Sequence, residues 1–302
     1  MPETKSSRSH QPIIKWVGGK TQLIDKIMSS FPDEIENYYE PFLGGGSVLL
    51  ALLSSGKRVK KIFANDINSH LIQMYKDVQE RPGELIEELG NLCNEYFSCP
   101  IVGVRVKTPT NEQKTENRET YYYWCRGLYN SLKVRECNVK TSALFIFLNK
   151  TGFRGMYREG PNGFNIPYGN YKNPTIFNAG EIMKMSELIK NVEFHNSSYS
   201  SFLENVTPGD FVYMDPPYAL ETSKSFVGYN KGGFGAEEQT RLFNTCKDFS
   251  KSGVNFVMSN SHVPVVTDFF CGFDIDVVEA KRSINSRNPG EKSNEVIIHC
   301  KH

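Results

Sequence analysis

A short strand candidate, Asn37-Tyr38-Tyr39-Glu40-Pro41-Phe42, runs directly into Leu43-Gly44-Gly45-Gly46-Ser47 and then into the apolar run Val48–Leu53. That run reads as a buried helix stopped at Gly56, and Val59–Ala64 as a strand ending in Asn65-Asp66. Strand, glycine turn, helix, strand is the opening of a βαβ unit, and such a unit commits the chain to a parallel sheet. After about residue 176 the rhythm returns, with Val192–His195, Phe211–Met214, Asn255–Met258, Ile275–Val278 and Glu295–Ile298 as short strand candidates and helices between them. From about 70 to 175 the texture is helical instead. Leu71–Val78, Pro82–Tyr96, Glu119–Leu132 and Ala143–Leu148 are parted by polar loops such as Lys107–Arg118. One α/β domain with a mostly helical insertion explains this alternation better than two independent domains. Residues 1–11 are polar, lack periodicity and read as a flexible tail.

Composition narrows the function classes. The 302 residues suffice for a core without disulfide staples. The 7 Cys are scattered, odd in number and without a CxxC pair or a zinc-spaced cluster, so they read as reduced thiols and no metal site is expected. No apolar run approaches the length of a bilayer span and the N-terminal stretch is polar, which argues against a membrane protein or a secreted precursor. With 35 Lys+Arg against 34 Asp+Glu the formal charge is +1, so any nucleic-acid binding must rest on a local patch rather than on the total.

Four constellations carry chemistry. Gly44-Gly45-Gly46 follows a strand and opens a helix, so its backbone can approach a ligand with no Cβ in the way. Asp66 ends the next strand, 20 residues beyond Gly46, where a carboxylate can accept from ribose hydroxyls. Alone, the glycine turn could be structural; with Asp66 it suggests an adenosine-containing cofactor. Asp215-Pro216-Pro217-Tyr218 follows the strand Phe211–Met214, and the two prolines stop that strand in a rigid turn. A carboxylate, the Pro216 carbonyl and an aromatic ring are thereby offered at the carboxyl edge of a sheet, where open α/β sheets bind ligands. The set suits an exocyclic amine in a base plane: the two oxygens accept its hydrogens while Tyr218 stacks on the ring. A strand-ending turn with a surface acid is the bland alternative.

Lys15-Trp16-Val17-Gly18-Gly19-Lys20 is not a Walker loop and could bind a carboxylate or adenine, or cap the helix starting near Gln22. Between 140 and 172, five basic residues face the single acid Glu159, with Phe153 and Tyr157 interleaved among Lys150, Arg154, Arg158 and Lys172. Guanidinium forks read guanine edges and rings wedge between bases, so this segment suits a nucleic-acid groove, with a solvated basic loop as the alternative. Lys281-Arg282 through Arg287 adds a second basic cluster suited to phosphates.

Together these elements resemble the N6-adenine DNA methyltransferases of the Dam type, the D12 class in its alpha arrangement, from about Ile13 onward. The resemblance is carried by Lys-Trp-x-Gly-Gly-Lys, Pro-Phe-x-Gly-x-Gly-Ser-Val, Asn-Asp-x-Asn, Asp-Pro-Pro-Tyr, the Ser259-Asn260 pair and the Arg-Ser-Ile at 282–284, all in the family's order. It implies a Rossmann-like class I S-adenosylmethionine-dependent domain over 12–68 and 176–302, with an inserted target-recognition domain over 69–175 and a DNA-binding hairpin near 150–170. It implies S-adenosylmethionine as donor, with Trp16, Lys20, Phe42, Gly44, Gly46, Asp66 and Asp215 around it, and Asp215, Pro216 and Tyr218 as the catalytic set. Lys15 would reach a base pair, Phe153 would wedge into the duplex, Arg158 would read guanine, and Met156 and Pro167 would make apolar base contacts. Arg154, also placed on DNA, sits where relatives often carry Asn, and segment 159–163 is unusual and a residue shorter; both bear on the exact target.

The resemblance thus predicts methyl transfer to N6 of an adenine flipped out of duplex DNA, within GATC or a related GA-containing site. It also implies a monomer, or more than one copy on DNA, acting in the cytoplasm or wherever its DNA resides in a prokaryotic or viral setting, restriction-linked or not. Cytosine C5 methylation would need a nucleophilic Cys, absent here in the expected Pro-Cys pair; cytosine N4 methylation typically places Ser, and protein glutamine methylation Asn, where this chain has Asp215. A catalytically silent DNA-binding relative remains as an alternative, whereas a nicotinamide dehydrogenase would leave Asp-Pro-Pro-Tyr unexplained.

Overall fold

The computed structural model describes residues 11–132, 138–219, 234–281 and 292–300. The tail expected over 1–11, apart from Gln11, and the basic cluster from Arg282 to Arg287 with its Arg-Ser-Ile lie outside the described residues.

The strands are β1 (Glu34–Glu40), β2 (Arg58–Asn65), β3 (Glu159–Gly160), β4 (Gly163–Phe164), β5 (Val192–His195), β6 (Phe211–Met214), β7 (Asn255–Ser261), β8 (Asp274–Lys281) and β9 (Lys292–Cys300). Seven of them form one sheet in the order β5-β2-β1-β6-β7-β9-β8. β1 runs parallel to β2 and β6, and β6 parallel to β7, while β9 lies antiparallel to both β7 and β8. From β1 the chain steps to β2 on one side and later resumes with β6 on the other. That reversal of direction makes the carboxyl ends of β1 and β6 the switch point at which doubly wound sheets bind their ligands. The fold is the expected Rossmann-like α/β sheet.

Local chemistry explains the boundaries. All four residues of β6 are buried, as a central parallel strand covered on both faces requires. The strand expected to reach Phe42 ends at Glu40, because Pro41 brings no N–H to the ladder. Toward its end β7 turns polar, yet Ser259, Asn260 and Ser261 are buried and still paired with β9.

The chain divides into two compact units. One comprises the described residues of 20–43, 55–67 and 197–302. It holds most of the sheet together with α1 (Ile24–Ser29), and its core gathers Val212, Met214, Leu242, Phe243, Phe256, Phe270 and Val296. The other comprises the described residues of 1–19, 44–54 and 68–196 and is largely helical. It contains α2 (Ser47–Ser54), α3 (Ser69–Glu80), α4 (Pro82–Ser98), α5 (Arg118–Ser131), α6 (Val139–Thr151) and α7 (Ala179–Ile189). The side chains of Asn68, Asn117, Asn138 and Asn178 cap α3, α5, α6 and α7, each accepting from a backbone N–H of the first turn. α6 is buried on nearly every side, against α3, α4 and α5, so it is the axis of this unit. The sheet-bearing unit adds α8 (Tyr199–Leu203), α9 (Ala236–Ser252) and α10 (Pro264–Thr267), with Gly253 ending α9 at φ 84°.

Candidate functional site

In the sheet-bearing unit β6 ends and the chain turns through Asp215-Pro216-Pro217-Tyr218. Lys20, only 5% exposed, places Nζ 2.9 Å from Asp215 Oδ1 and 4.7 Å from the centre of the Tyr218 ring. Burial pushes the Asp215 carboxyl up to about 6, against the downward pull of the Lys20 ammonium. The outgoing chain is gripped from three elements. The Asn260 Oδ1 on β7 accepts from Ala219 N at 3.1 Å, and the Ser261 hydroxyl donates to Ala219 O at 2.6 Å. The amide of Gln239 on α9 donates to the Pro217 carbonyl, and the Tyr218 hydroxyl donates to Glu295 Oε2 on β9 at 2.6 Å.

Two neighbouring strand ends bring acids toward this corner. Glu40, at the end of β1, is buried and accepts from the Tyr38 hydroxyl at 2.7 Å. Burial, helped by repulsion from Asp215 and Asp66 and opposed by the Tyr38 hydrogen bond, lifts its carboxyl to about 8, so it is protonated at neutral pH. Asp66 is half-buried directly after β2. Asn65 beside it donates to the carbonyls of Pro41 and Ser197, and Leu43 N donates to Asn65 O, which pins the two strand ends to each other. Phe42 packs against Tyr199 and Phe234, with ring centres 5.3 and 5.7 Å away. Thus Lys20, Phe42, Asp66 and the tetrapeptide all belong to this unit.

Trp16, Gly44 and Gly46 belong to the helical unit. Gly44 has φ 50° and Gly46 φ 69°, the left-handed region that disfavours side chains. A Cβ at Gly44 would lie 3.0 Å from Trp16 Cδ1, and one at Gly45 2.9 Å from Trp16 Cβ, so the glycine turn admits the indole only because it is bare. The carbonyl of Gly45 accepts from the Tyr75 hydroxyl at 2.7 Å. Trp16 also stacks on Tyr157, with ring centres 5.6 Å apart and planes at 28°.

The six residues expected on DNA lie in this same helical unit. Asn149, buried in α6, holds the backbone of Lys15 and the carbonyl of Gly155. Gly155 has φ 65°, and a Cβ there would strike Lys15 Cβ at 2.6 Å. Phe153 is exposed, its N–H donates to the Pro167 carbonyl, and the Arg154 guanidinium lies over its ring at 5.2 Å. Arg154 itself has φ 56°, a conformation that Asn adopts more readily than Arg. Its N–H donates to the Tyr171 hydroxyl at 2.9 Å. Arg158 is exposed and its Nε donates to Asn165 Oδ1 at 2.7 Å, while Met156 is half-buried between them in sequence. The unusual segment 159–163 is a tight hairpin, β3 and β4 joined by Pro161-Asn162 alone.

Sequence reasoning missed Glu40, Asn149, Glu295 and the grip of Asn260. Glu40 had a local signal, an acid one residue before Pro41 at a strand end. The others act over long separations that no spacing announces. Among the described residues no group of three or more His, Cys, Asp or Glu could hold a metal ion, and no helix is long and apolar enough to cross a membrane.

A family model described as D12 class N6 adenine-specific DNA methyltransferase matches residues 16–284. The type II methyltransferase M.MjaIII of Methanocaldococcus jannaschii is 38% identical, covering 93% of this chain and 95% of its own. The type II methyltransferase M1.LlaDCHI of Lactococcus lactis subsp. cremoris is 31% identical, over 97% and 96% respectively. The Retron Ec67 DNA adenine methylase of Escherichia coli is 30% identical, over 95% and 90%.

Proposed function

The chain belongs to the D12 class of N6 adenine-specific DNA methyltransferases, and from that premise we propose that it methylates N6 of an adenine extruded from duplex DNA, using S-adenosylmethionine, within GATC or a related GA-containing site. The observation that carries this reading is the ion pair between buried Lys20 and half-buried Asp215 at the proline-locked corner.

The residues fit the donor. Lys20 and Asp215 face each other as one cation and one anion, and an amino-acid end carries the same two charges and can exchange partners with them. Within the sheet-bearing unit Asp66 offers a half-buried carboxylate for ribose hydroxyls and Phe42 an aromatic face; within the helical unit Gly44, Gly46 and Trp16 set a bare backbone against an indole. When bound, S-adenosylmethionine supplies an electrophilic methyl group on a sulfonium. The rest is the work of the chain.

N6 is paired inside the duplex, so the base must leave the stack before it can be aligned with the donor. Asp215 and the Pro216 carbonyl each accept one hydrogen of the amine, which favours a more tetrahedral nitrogen and stabilises the positive charge that grows there. Asp215 does so as the carboxylate, above about pH 6. Tyr218 presents its ring face to the base, because its hydroxyl is committed to Glu295.

The recognition half of the reading lies in the helical unit. Residues 69–175 form the target-recognition insertion between the catalytic segments 12–68 and 176–302. Phe153 wedges into the duplex, Arg158 reads guanine, Lys15 and Arg154 meet the DNA with their charges, and Met156 and Pro167 make apolar contacts. The enzyme acts as a monomer or as more than one copy on DNA, in the cytoplasm or wherever its target DNA resides.

The test is transfer of labelled methyl from S-adenosylmethionine to duplexes carrying GATC, single-base variants of it, or GATC with its adenine replaced. Label should enter N6 of the GATC adenine in the native protein and be lost in Asp215→Ala, with the fold checked by circular dichroism. Near-normal turnover in that variant, or label on a base other than adenine, overturns the reading.

A further inference from the structure

We propose that Glu295 is a positioning residue for Tyr218: by accepting the phenol's hydrogen bond it sets the angle at which the ring meets the extruded base. The inference rests on the reading of Asp215–Tyr218 as the corner that receives the adenine.

A tyrosine side chain turns about two torsions, so a ring meant to stack must be restrained at more than its Cα. Tyr218 is restrained at several points. The peptide after it is clasped on β7, where Asn260 Oδ1 takes Ala219 N and the Ser261 hydroxyl gives to Ala219 O. Its far end is held on β9, where Glu295 Oε2 lies 2.6 Å from the phenol oxygen. Ser261 and Glu295 are partners across the β7–β9 ladder, so a single rung of the sheet fixes both the root and the tip of the tyrosine. Lys20 completes the cage from the ring face, with Nζ 4.7 Å from its centre.

The choice of acceptor matters. A carboxylate only accepts, so the phenol must be the donor and has no hydrogen left for a base edge. Burial, with Asp215 and Glu295 nearby, holds the phenol well above its ordinary pKa, so it stays protonated and keeps that role. Tyr218 is thereby limited to offering a ring of fixed tilt. This gives β9 a part in catalysis 77 residues away from the tetrapeptide it serves.

The experiment compares Glu295→Ala, Glu295→Gln, Tyr218→Phe and the double variant Tyr218→Phe/Glu295→Ala in full-length protein. Each is assayed for methyl transfer, for S-adenosylmethionine affinity, and for the emission of 2-aminopurine placed at the target adenine. Glu295→Ala should lower kcat about tenfold, the worth of a charge-assisted hydrogen bond, and alter the aminopurine signal. Cofactor affinity should stay within about twofold, since the lost bond restrains the base rather than the donor. Glu295→Gln keeps an acceptor oxygen and should recover most of the rate. Tyr218→Phe removes the same bond without touching β9; because the phenol and Glu295 also act on the Asp215 carboxyl, the rates are compared well above pH 6, where it should match Glu295→Ala and the double variant should be no slower than either.

A native rate in Glu295→Ala, a Gln variant as slow as the Ala variant, or multiplied losses in the double variant would overturn the inference. Tyr218→Ala separates the two levels. If it transfers methyl normally, the reading of the corner itself fails; if it is inactive while Glu295→Ala is not, only the role of Glu295 falls.

Discussion

Lys15 and Asn149, 134 residues apart, exchange two hydrogen bonds of 2.8 Å: the Lys15 N–H donates to Asn149 Oδ1, and Asn149 Nδ2 donates to the Lys15 carbonyl. A third bond, from the same Nδ2 to the Gly155 carbonyl at 2.9 Å, ties in the basic hairpin. One buried amide therefore sets the position of Lys15 against Gly155, whose bare Cα leaves room for the lysine stem. Asn149→Ala deletes all three bonds and leaves the buried Gly155 carbonyl unpaired. It should destabilise the protein by about 1–3 kcal/mol and weaken duplex binding. Urea unfolding and fluorescence anisotropy with a labelled duplex are the measurements, and unchanged binding would show that the amide does not organise this surface.

The ion pair at the corner predicts a pH dependence. Asp215 is lifted to about 6 by burial, with Lys20 opposing the rise. Single-turnover transfer should therefore increase through about pH 6 as the carboxylate forms. In Lys20→Met the opposing cation is gone and this acid limb should move to higher pH. A limb that stays in place would mean that another group controls it.

Glu40 makes the opposite demand on stability. Its folded-state pKa is raised from 4.5 to about 8, so the folded protein holds that proton more tightly than the unfolded chain does. Its contribution is fully present below the ordinary carboxylate range and is lost as pH rises through about 8. Glu40→Gln keeps the neutral shape and carries no such penalty. Its urea midpoint should match the native protein near about pH 4 and exceed it near about pH 9, and parallel curves would refute the buried acid.

At Arg154 the backbone has φ 56°. Arg154→Asn places there a residue that tolerates this conformation, and should raise stability by up to about 1 kcal/mol. The same change removes a cation from the hairpin, so duplex affinity should drop and its salt dependence flatten. A variant that is both less stable and equally salt-dependent would count against both the strain and the phosphate contact.

How much of this was legible beforehand follows from the range of each interaction. Val192–His195 and Phe211–Met214 read as strands to the residue, because short apolar runs bounded by turn signals are a local pattern. α6 was legible only as Ala143–Leu148, since its buried Thr141, Ser142, Asn149 and Thr151 look like surface to any hydropathy pattern. The same blindness hid the buried polar end of β7. Asp-Pro-Pro-Tyr announced itself because its chemistry is contiguous. Its supports, Lys20, Asn260, Ser261 and Glu295, arrive from three separate places in the chain, and of these only Lys20 stood in a motif that pointed to a ligand.

The strand order has a consequence for biosynthesis. β9 follows β8 in the chain yet inserts between β8 and β7, so among the described residues β8 finds its ladder partner only in β9. A chain still emerging from the ribosome must carry β8 as an orphan until residues 292–300 are made, and for that interval Tyr218 also lacks its acceptor. The far anchor of the tyrosine therefore arrives only with those nine residues, long after the tetrapeptide itself has been made.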